Sequence, residues 1–357
     1  MNPSLEPPYG ALDPGGMLAS IESQGSHVEE ALTRGAASVW GSGARGAGAA
    51  PRRLAVGAMG GSAIAADLTA DLFSDRLPHP LIVVRDYQWP SWVRSDTLVL
   101  LSSYSGNTEE TLSLYEAARA LGVSRAAITS GGALAEWCLR DSVPFATVPG
   151  GSPPRAALFG SWVALTGLLF GLGWIEDPSP MWRGAAGVLR DGSARWGGAA
   201  PERGNAAKRL ARALHGRRVY IYAGSSRLGA AATRFRNQLN ENAKLLGHSA
   251  LVPELNHNEI VGWELPLAAH REAAVVMLRD DEDSGPVAKR CELTAEFVAA
   301  KGAPVHEVRG TGASRLERLA SLVQYCDFVS DYLALLSGTD PTPVRSIDEF
   351  KRRLQAS

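Results

Sequence analysis

Residues 99–110 read VLLSSYSGNTEE: an uncharged apolar run passes directly into Ser102, Ser103, Ser105, Gly106, Asn107 and Thr108, then into an acidic, helix-compatible segment. A strand ending in hydroxyls and free backbone amides at a helix start is an arrangement that holds a phosphate. Such a turn binds a dianion with no Lys or Arg in the loop, so the stretch predicts a phosphorylated small molecule at a strand end. An ordinary N-cap accounts for the same residues, with Asn107 or Ser105 satisfying helix amides and Glu110 completing a capping box. A second turn favours the phosphate. Residues 54–68, LAVGAMGGSAIAADL, again run from a short apolar strand through a Gly-rich turn and Ser62 into an apolar helix. No Lys follows Gly60 and Gly61, so the turn is not a Walker loop. The spacing of Gly57, Gly60 and Gly61 also misses the dinucleotide fingerprint G-x-G-x-x-G.

Working outward from these turns, apolar runs at 54–56, 81–84, 98–101, 126–129 and 145–148 alternate with helical segments at 63–73, 109–121 and 134–139. That alternation predicts a parallel sheet covered on both faces, with ligands at the carboxyl ends of its strands. Ahead of it, residues 17–32 read as a surface helix and 41–50 as a small-residue linker. Residues 156–212 are mainly helical, broken by Gly and Pro. A second α/β pattern follows, with strands at 218–223, 249–252, 273–278 and 304–308 and helices at 228–246, 287–300 and 316–336. The strand, Gly/Ser turn and helix at 219–239 echo those at 54–68. The expected organisation is an N-terminal helix and linker (1–51), a first α/β lobe (52–155), a helical connection (156–214) and a second lobe with a C-terminal helix (215–357).

A chain of 357 residues, 45% hydrophobic, can bury a core of that size. Its formal net charge of -1, from 36 basic and 37 acidic residues, provides no field for a polyanion, so neither nucleic acid nor a membrane surface is expected as a partner. Cys138, Cys291 and Cys326 are widely spaced without a C-x-x-C pattern, which reads as reduced thiols in a cytoplasmic protein. The first residues, MNPSLEPPYG, lack a basic n-region and an apolar h-region. Residues 156–175, AALFGSWVALTGLLFGLGWI, are uncharged over a length that could span a bilayer, but their glycines, Ser and Thr fit a helix packed on all sides in a large core.

Three further places concentrate polar residues. Arg155, in Pro153-Pro154-Arg155, either flanks the apolar helix at the surface or reaches the strand ends, where a guanidinium could hold a developing oxyanion. In NQLNENAK (237–244), Asn237, Glu241 and Lys244 share one helical face, which by itself reads as a solvated face with a Glu241 to Lys244 pair. In ELNHNEIVGWE (254–264), a polar loop, His257 lies without flanking apolar periodicity; with no second His at ligand spacing, His257 and Glu259 make a poor metal site. A phosphate clamp with a carboxylate, an imidazole and a cation suits proton transfer beside a carbonyl, as in aldose to ketose isomerisation.

The motifs AMGGSA (58–63), SSYSGNTEET, PPRAAL, NENAK, PELNHNEIVGWE and DPTPV followed by a later Lys resemble the bifunctional phosphoglucose/phosphomannose isomerase family, whose members carry two sugar isomerase (SIS) domains. The resemblance runs from about residue 12 to the C-terminus. It implies two SIS-type lobes, each a parallel sheet flanked by helices on both faces, and a phosphorylated hexose as substrate, with no cofactor and no metal. By position it implies Gly60, Gly61, Ser62, Ser103, Ser105 and Thr108 for phosphate binding, and Glu241 as the base shuttling a proton between the first two carbons. Arg155 then steadies the enediolate, and His257 and Lys351 open the ring, His257 arriving from the other subunit of a homodimer. Two other readings stay open: a non-catalytic SIS-type sugar phosphate sensor, and an isomerase of another sugar phosphate. A sensor usually carries a basic helix-turn-helix, which the first fifty residues do not offer.

Overall fold

The computed structural model describes residues 4–35, 50–224, 227–265 and 268–356. Two short helices come first, α1 (Met17–Glu22) and α2 (Gln24–Thr33). They correct the single surface helix expected at 17–32: the chain breaks at Ser23, and Met17, Ile21 and Val28 are buried in the main core. Apart from Ala50, the small-residue linker expected at 41–50 lies outside the described residues.

Then follow β1 (Arg53–Ala58), α3 (Gly60–Leu72), β2 (Leu81–Val84), β3 (Thr97–Ser102), α4 (Glu109–Ala120), β4 (Ser124–Thr129), α5 (Gly132–Arg140) and β5 (Phe145–Thr147). The strands form one parallel sheet in the order β2-β1-β3-β4-β5. Every residue of β3, TLVLLS, is buried, as a central strand covered on both faces requires. The strand order reverses between β1 and β3, and in open parallel sheets ligands settle in the crevice at such a reversal. The two Gly/Ser turns singled out above are the segments that leave β1 and β3.

Three helices follow: α6 (Leu158–Gly171), α7 (Ser179–Trp196) and α8 (Ala206–Leu214). The second sheet has β6 (Arg218–Gly224), β7 (Gly247–Val252), β8 (Ala273–Arg279) and β9 (Val305–Arg309), all parallel in the order β7-β6-β8-β9. Its helices are α9 (Gly229–Glu241) after β6 and α10 (Gly285–Ala300) after β8; α11 (Arg315–Leu336) and α12 (Arg345–Ala356) end the chain. The segment expected as a polar loop at 254–264 is instead two short 3-10 helices, Glu254–His257 and Glu259–Trp263, with Trp263 buried.

One apolar core joins the two sheets. It runs from Leu54, Val56 and Leu98 through Trp162, Leu168 and Phe328 to Ile221 and Val276. Helices α6 and α11 lie inside it, which explains why α6 is apolar almost all round; α11 is as deeply buried but carries polar residues among its apolar ones. Among the described residues α11 is the one helix long and apolar enough to cross a membrane, and it is wholly buried in protein.

Candidate active site

The turn after β1 puts Met59 in an extended conformation and Gly60 at φ +50°, so that α3 starts directly at the strand end. A Cβ at Gly61 would meet the Pro154 carbonyl oxygen at 3.3 Å and Arg155 Cα at 3.5 Å, so the turn packs on the segment carrying Arg155. Ser62 Oγ accepts from the Tyr104 amide at 3.3 Å, tying this turn to the one after β3. There, Ser103 Oγ pairs with Thr108 Oγ1 at 2.8 Å and accepts from the Gly106 amide at 3.1 Å, while Ser105 Oγ accepts from the Asn107 amide at 3.2 Å. Gly106, at φ +70°, is obligatory: a Cβ there would sit 1.8 Å from the Gly131 carbonyl oxygen.

The ordinary N-cap reading fails for α4: Ser105 Oγ accepts from the Asn107 amide, and Asn107 Oδ1 accepts at 3.1 Å from the Ala133 amide in the first turn of α5. Thr108 stands at the N-cap of α4 and Met59 at that of α3, yet neither side chain caps its helix. By contrast Asn205 caps α8 and Ser314 caps α11. Among the described residues no side chain accepts from the first-turn amides of α3 and α4, at the end where the helix dipole favours an anion. The corresponding helix of the second sheet is stoppered: Asp71, from the last turn of α3, accepts from the Ala230 amide of α9 at 2.7 Å. Among the described residues, the phosphate-type turns with open amides belong to the first sheet; Ser225 and Ser226 of the matching turn after β6 lie outside the described residues.

Arg155 is 6% exposed and its guanidinium is held on three sides. Nε donates to Asn242 Oδ1 at 2.6 Å, and Nη2 donates to the carbonyls of Pro341 at 2.6 Å and Thr342 at 2.8 Å. Nη1 faces the Glu241 carboxylate, with Oε2 at 3.9 Å. Burial lowers the Arg155 pKa from its ordinary value, and the facing Glu241 opposes that shift. Below lies a buried polar scaffold. Arg234 donates to the Arg155 carbonyl and pairs with Asp327 at 2.7 Å, Gln24 donates to the same Asp327 carboxylate, and Asn242 Nδ2 donates to Ser330 Oγ. Asp327 and Ser330 belong to α11. None of this scaffold was singled out from the sequence, although polar residues inside the apolar run of 315–336 were the available signal.

Helix α9 ends at Glu241, not near residue 246, so the shared helical face expected for Glu241 and Lys244 does not exist. Lys244 adopts φ +54°, and its Nζ donates to the Glu241 carbonyl at 2.6 Å and the Pro341 carbonyl at 3.0 Å. It satisfies the helix end in place of pairing with the carboxylate. Burial, with Arg155 nearby, lowers its pKa. Glu241 is 30% exposed and opens onto a cavity of about 620 Å³ lined also by Lys244, Leu246, Thr339, Asp340, Arg345 and Ile347.

Two expected site residues stand apart. His257 is exposed and hydrogen-bonds to nothing among the described residues, and it does not line the Glu241 cavity. Lys351 is exposed on α12, whose first turn lines that cavity through Arg345, Ser346 and Ile347. Lys351 follows Ile347 by one helical turn, on the same face.

Residues 203–354 match a family profile described as the bacterial phospho-glucose isomerase C-terminal SIS domain. The chain is 41% identical over 302 residues to a bifunctional phosphoglucose/phosphomannose isomerase of Caldicellulosiruptor bescii, covering 85% of this chain and 89% of that one. It is 33% identical over 299 residues to a protein of the same name from Aquifex aeolicus, covering 83% and 88%. Among solved structures, a hypothetical protein of Thermus thermophilus superposes with a TM-score of 0.71 at 16% identity, over 96% of this chain and 91% of that chain; this likeness concerns the fold.

Proposed function

We infer, from the premise that the chain belongs to the bifunctional phosphoglucose/phosphomannose isomerase family, that it interconverts glucose 6-phosphate, and also mannose 6-phosphate, with fructose 6-phosphate. The observation that carries this reading is the position of Arg155, packed against the Gly61 turn on one side and facing Glu241 across 3.9 Å on the other.

The phosphate enters the turns after β1 and β3, where Gly60, Gly61, Ser62, Ser103, Ser105 and Thr108 offer amides and hydroxyls. Anchoring one end of the sugar leaves C1 and C2 to be set against the carboxylate, which removes most of the orientational freedom from the proton transfer. Glu241 takes the C2 proton of the open-chain aldose, and the C–H electron pair moves to form the C1–C2 double bond as the carbonyl oxygen gains charge. Arg155 Nη1, the guanidinium nitrogen that has no hydrogen bond among the described residues, stabilises this oxyanion. The C2 hydroxyl proton passes to O1, and the protonated Glu241 returns its proton to C1 as the electrons on O2 close the C2 carbonyl of the ketose. The enediolate is planar at C2, so both C2 epimers converge on it. His257 and Lys351 open the ring. With His257 exposed and outside the cavity, a homodimer supplies it from the second subunit. The three cysteines are buried and unpaired, which supports a reducing, cytoplasmic setting.

Glu241→Gln is expected to lower turnover by about a thousandfold or more while sugar phosphate binding stays measurable by calorimetry. Wild-type turnover in that variant would refute the mechanism. Treatment with a chelator is expected to leave the rate unchanged; loss of activity restored by zinc would point to metal chemistry instead. C2 proton exchange in deuterated water, followed over a panel of phosphorylated sugars, separates the hexose substrates from an amino sugar or a shorter chain.

A further inference from the structure

In the segment 254–259 (ELNHNE), the polar side chains around His257 are hydrogen-bonded, while His257 is exposed and bonds to nothing among the described residues. On one side, Asn256 donates to Thr294 Oγ1 of α10 at 2.8 Å and accepts from Arg290 at 3.4 Å. On the other, Asn258 donates to Glu254 Oε1 at 2.8 Å and its side-chain oxygen caps the Glu259 amide at 2.6 Å. Glu259 then reaches down to the second sheet. Its Oε1 accepts from the Tyr222 hydroxyl of β6 at 2.6 Å, and its Oε2 meets His248 Nε2 of β7 at 2.9 Å. Trp263 Nε1, at the end of the same segment, donates to the same Tyr222 oxygen at 2.9 Å.

We propose that Glu259 is a positioning residue for His257: its carboxylate clamps the two 3-10 helices to adjacent strands and so fixes the direction in which the imidazole is presented. This rests on the role given to His257 above. A carboxylate with both oxygens engaged by groups on two strands is a rigid joint, and it lies two residues from the histidine. Releasing it lets the segment turn about Asn258, and misplacement of a proton-transfer group by about 1 Å is enough to slow its step on the order of a hundredfold.

The test separates ring opening from the later proton transfer at carbon. Glu259→Ala is expected to lower kcat on glucose 6-phosphate by about ten- to a hundredfold with little change in KM. With substrate deuterated at C2, the isotope effect on kcat is expected to fall toward one, or stay there, because ring opening then limits the rate. Glu259→Gln, which keeps an acceptor for Tyr222, should restore most of the rate. Tyr222→Phe, which deletes a single oxygen, should show the same pattern to a smaller degree and guards against a fold lost in the alanine variant. Wild-type kcat in Glu259→Ala and Tyr222→Phe, or a lowered kcat with an isotope effect above the wild-type value, would overturn the proposal. A His257→Ala variant with wild-type turnover would instead remove the role of His257 on which it rests.

Discussion

Arg155 is a buried cation whose position is overdetermined. Asn242 and the Pro341 and Thr342 carbonyls take three of its hydrogen bonds, and Arg234 holds its backbone. Desolvating a guanidinium is tolerable only when its donors are satisfied, so removing a partner is costly. Asn242→Ala leaves Arg155 Nε without its acceptor and removes the amide donated to Ser330 Oγ, which keeps only its bond to the Asp327 carbonyl. The expected loss is about 1–3 kcal/mol of stability by denaturant unfolding, with kcat lowered more than KM because the nitrogen facing Glu241 is no longer aimed. An Asn242→Ala enzyme with wild-type stability and kcat would show that the scaffold does not set Arg155. This residue scale was partly legible. Arg155 stood out as a charge ahead of an apolar helix, whereas Glu241 by itself read as part of a solvated face and acquired its role only from the family resemblance. Asn242 was hidden by its place beyond a helix end, and Asp327 by its place inside an apolar helix, where only three-dimensional packing reveals that Arg234 and Gln24 meet it.

At the scale of elements, α3 and α9 run side by side in opposite directions, with the phosphate-type turn at the start of α3 and Glu241 at the end of α9. Asp71 joins their other ends by accepting from the Ala230 amide. Burial raises its pKa from the ordinary 3.8 to about 6, against the lowering effect of the Ala230 and Gly229 amides. The folded protein therefore holds this proton more tightly than the unfolded chain does. The resulting stabilisation is complete below the unfolded value and is lost as pH rises from about 4 through about 6. Asp71→Asn keeps an oxygen for Ala230 and removes the titration. Its melting temperature relative to wild type is therefore expected to rise between pH 4 and pH 7; a difference that stays flat or falls would contradict the assignment. The existence of α3 and α9 was readable from strand, Gly/Ser turn and apolar periodicity. The end of α9 was not, because periodicity continues through Leu245 and Leu246 while the backbone leaves the helix at Glu241 and turns left-handed at Lys244.

On the scale of the whole molecule, two parallel sheets share one core through α6 and α11, and in the proposed mechanism each contributes a different part of the site: the first an anion cradle, the second a base. The layout was legible because parallel strands buried on both faces leave near-continuous apolar runs separated by helices. What one chain cannot display is the surroundings of His257, since an exposed imidazole acquires its role from whatever approaches it. If it acts across a homodimer, Glu241→Gln and His257→Ala variants, each nearly inactive, should recover activity when their subunits are mixed and allowed to exchange. No recovery would confine the site to one subunit. The most direct test of the central claim is a crystal structure of the enzyme with bound fructose 6-phosphate. It is expected to place phosphate oxygens within about 3 Å of Ser103 Oγ or Thr108 Oγ1 and of the α4 first-turn amides, and the Glu241 carboxylate at similar reach of C1 or C2. A sugar phosphate seated elsewhere, or seated in these turns with its first two carbons out of reach of Glu241, would contradict it.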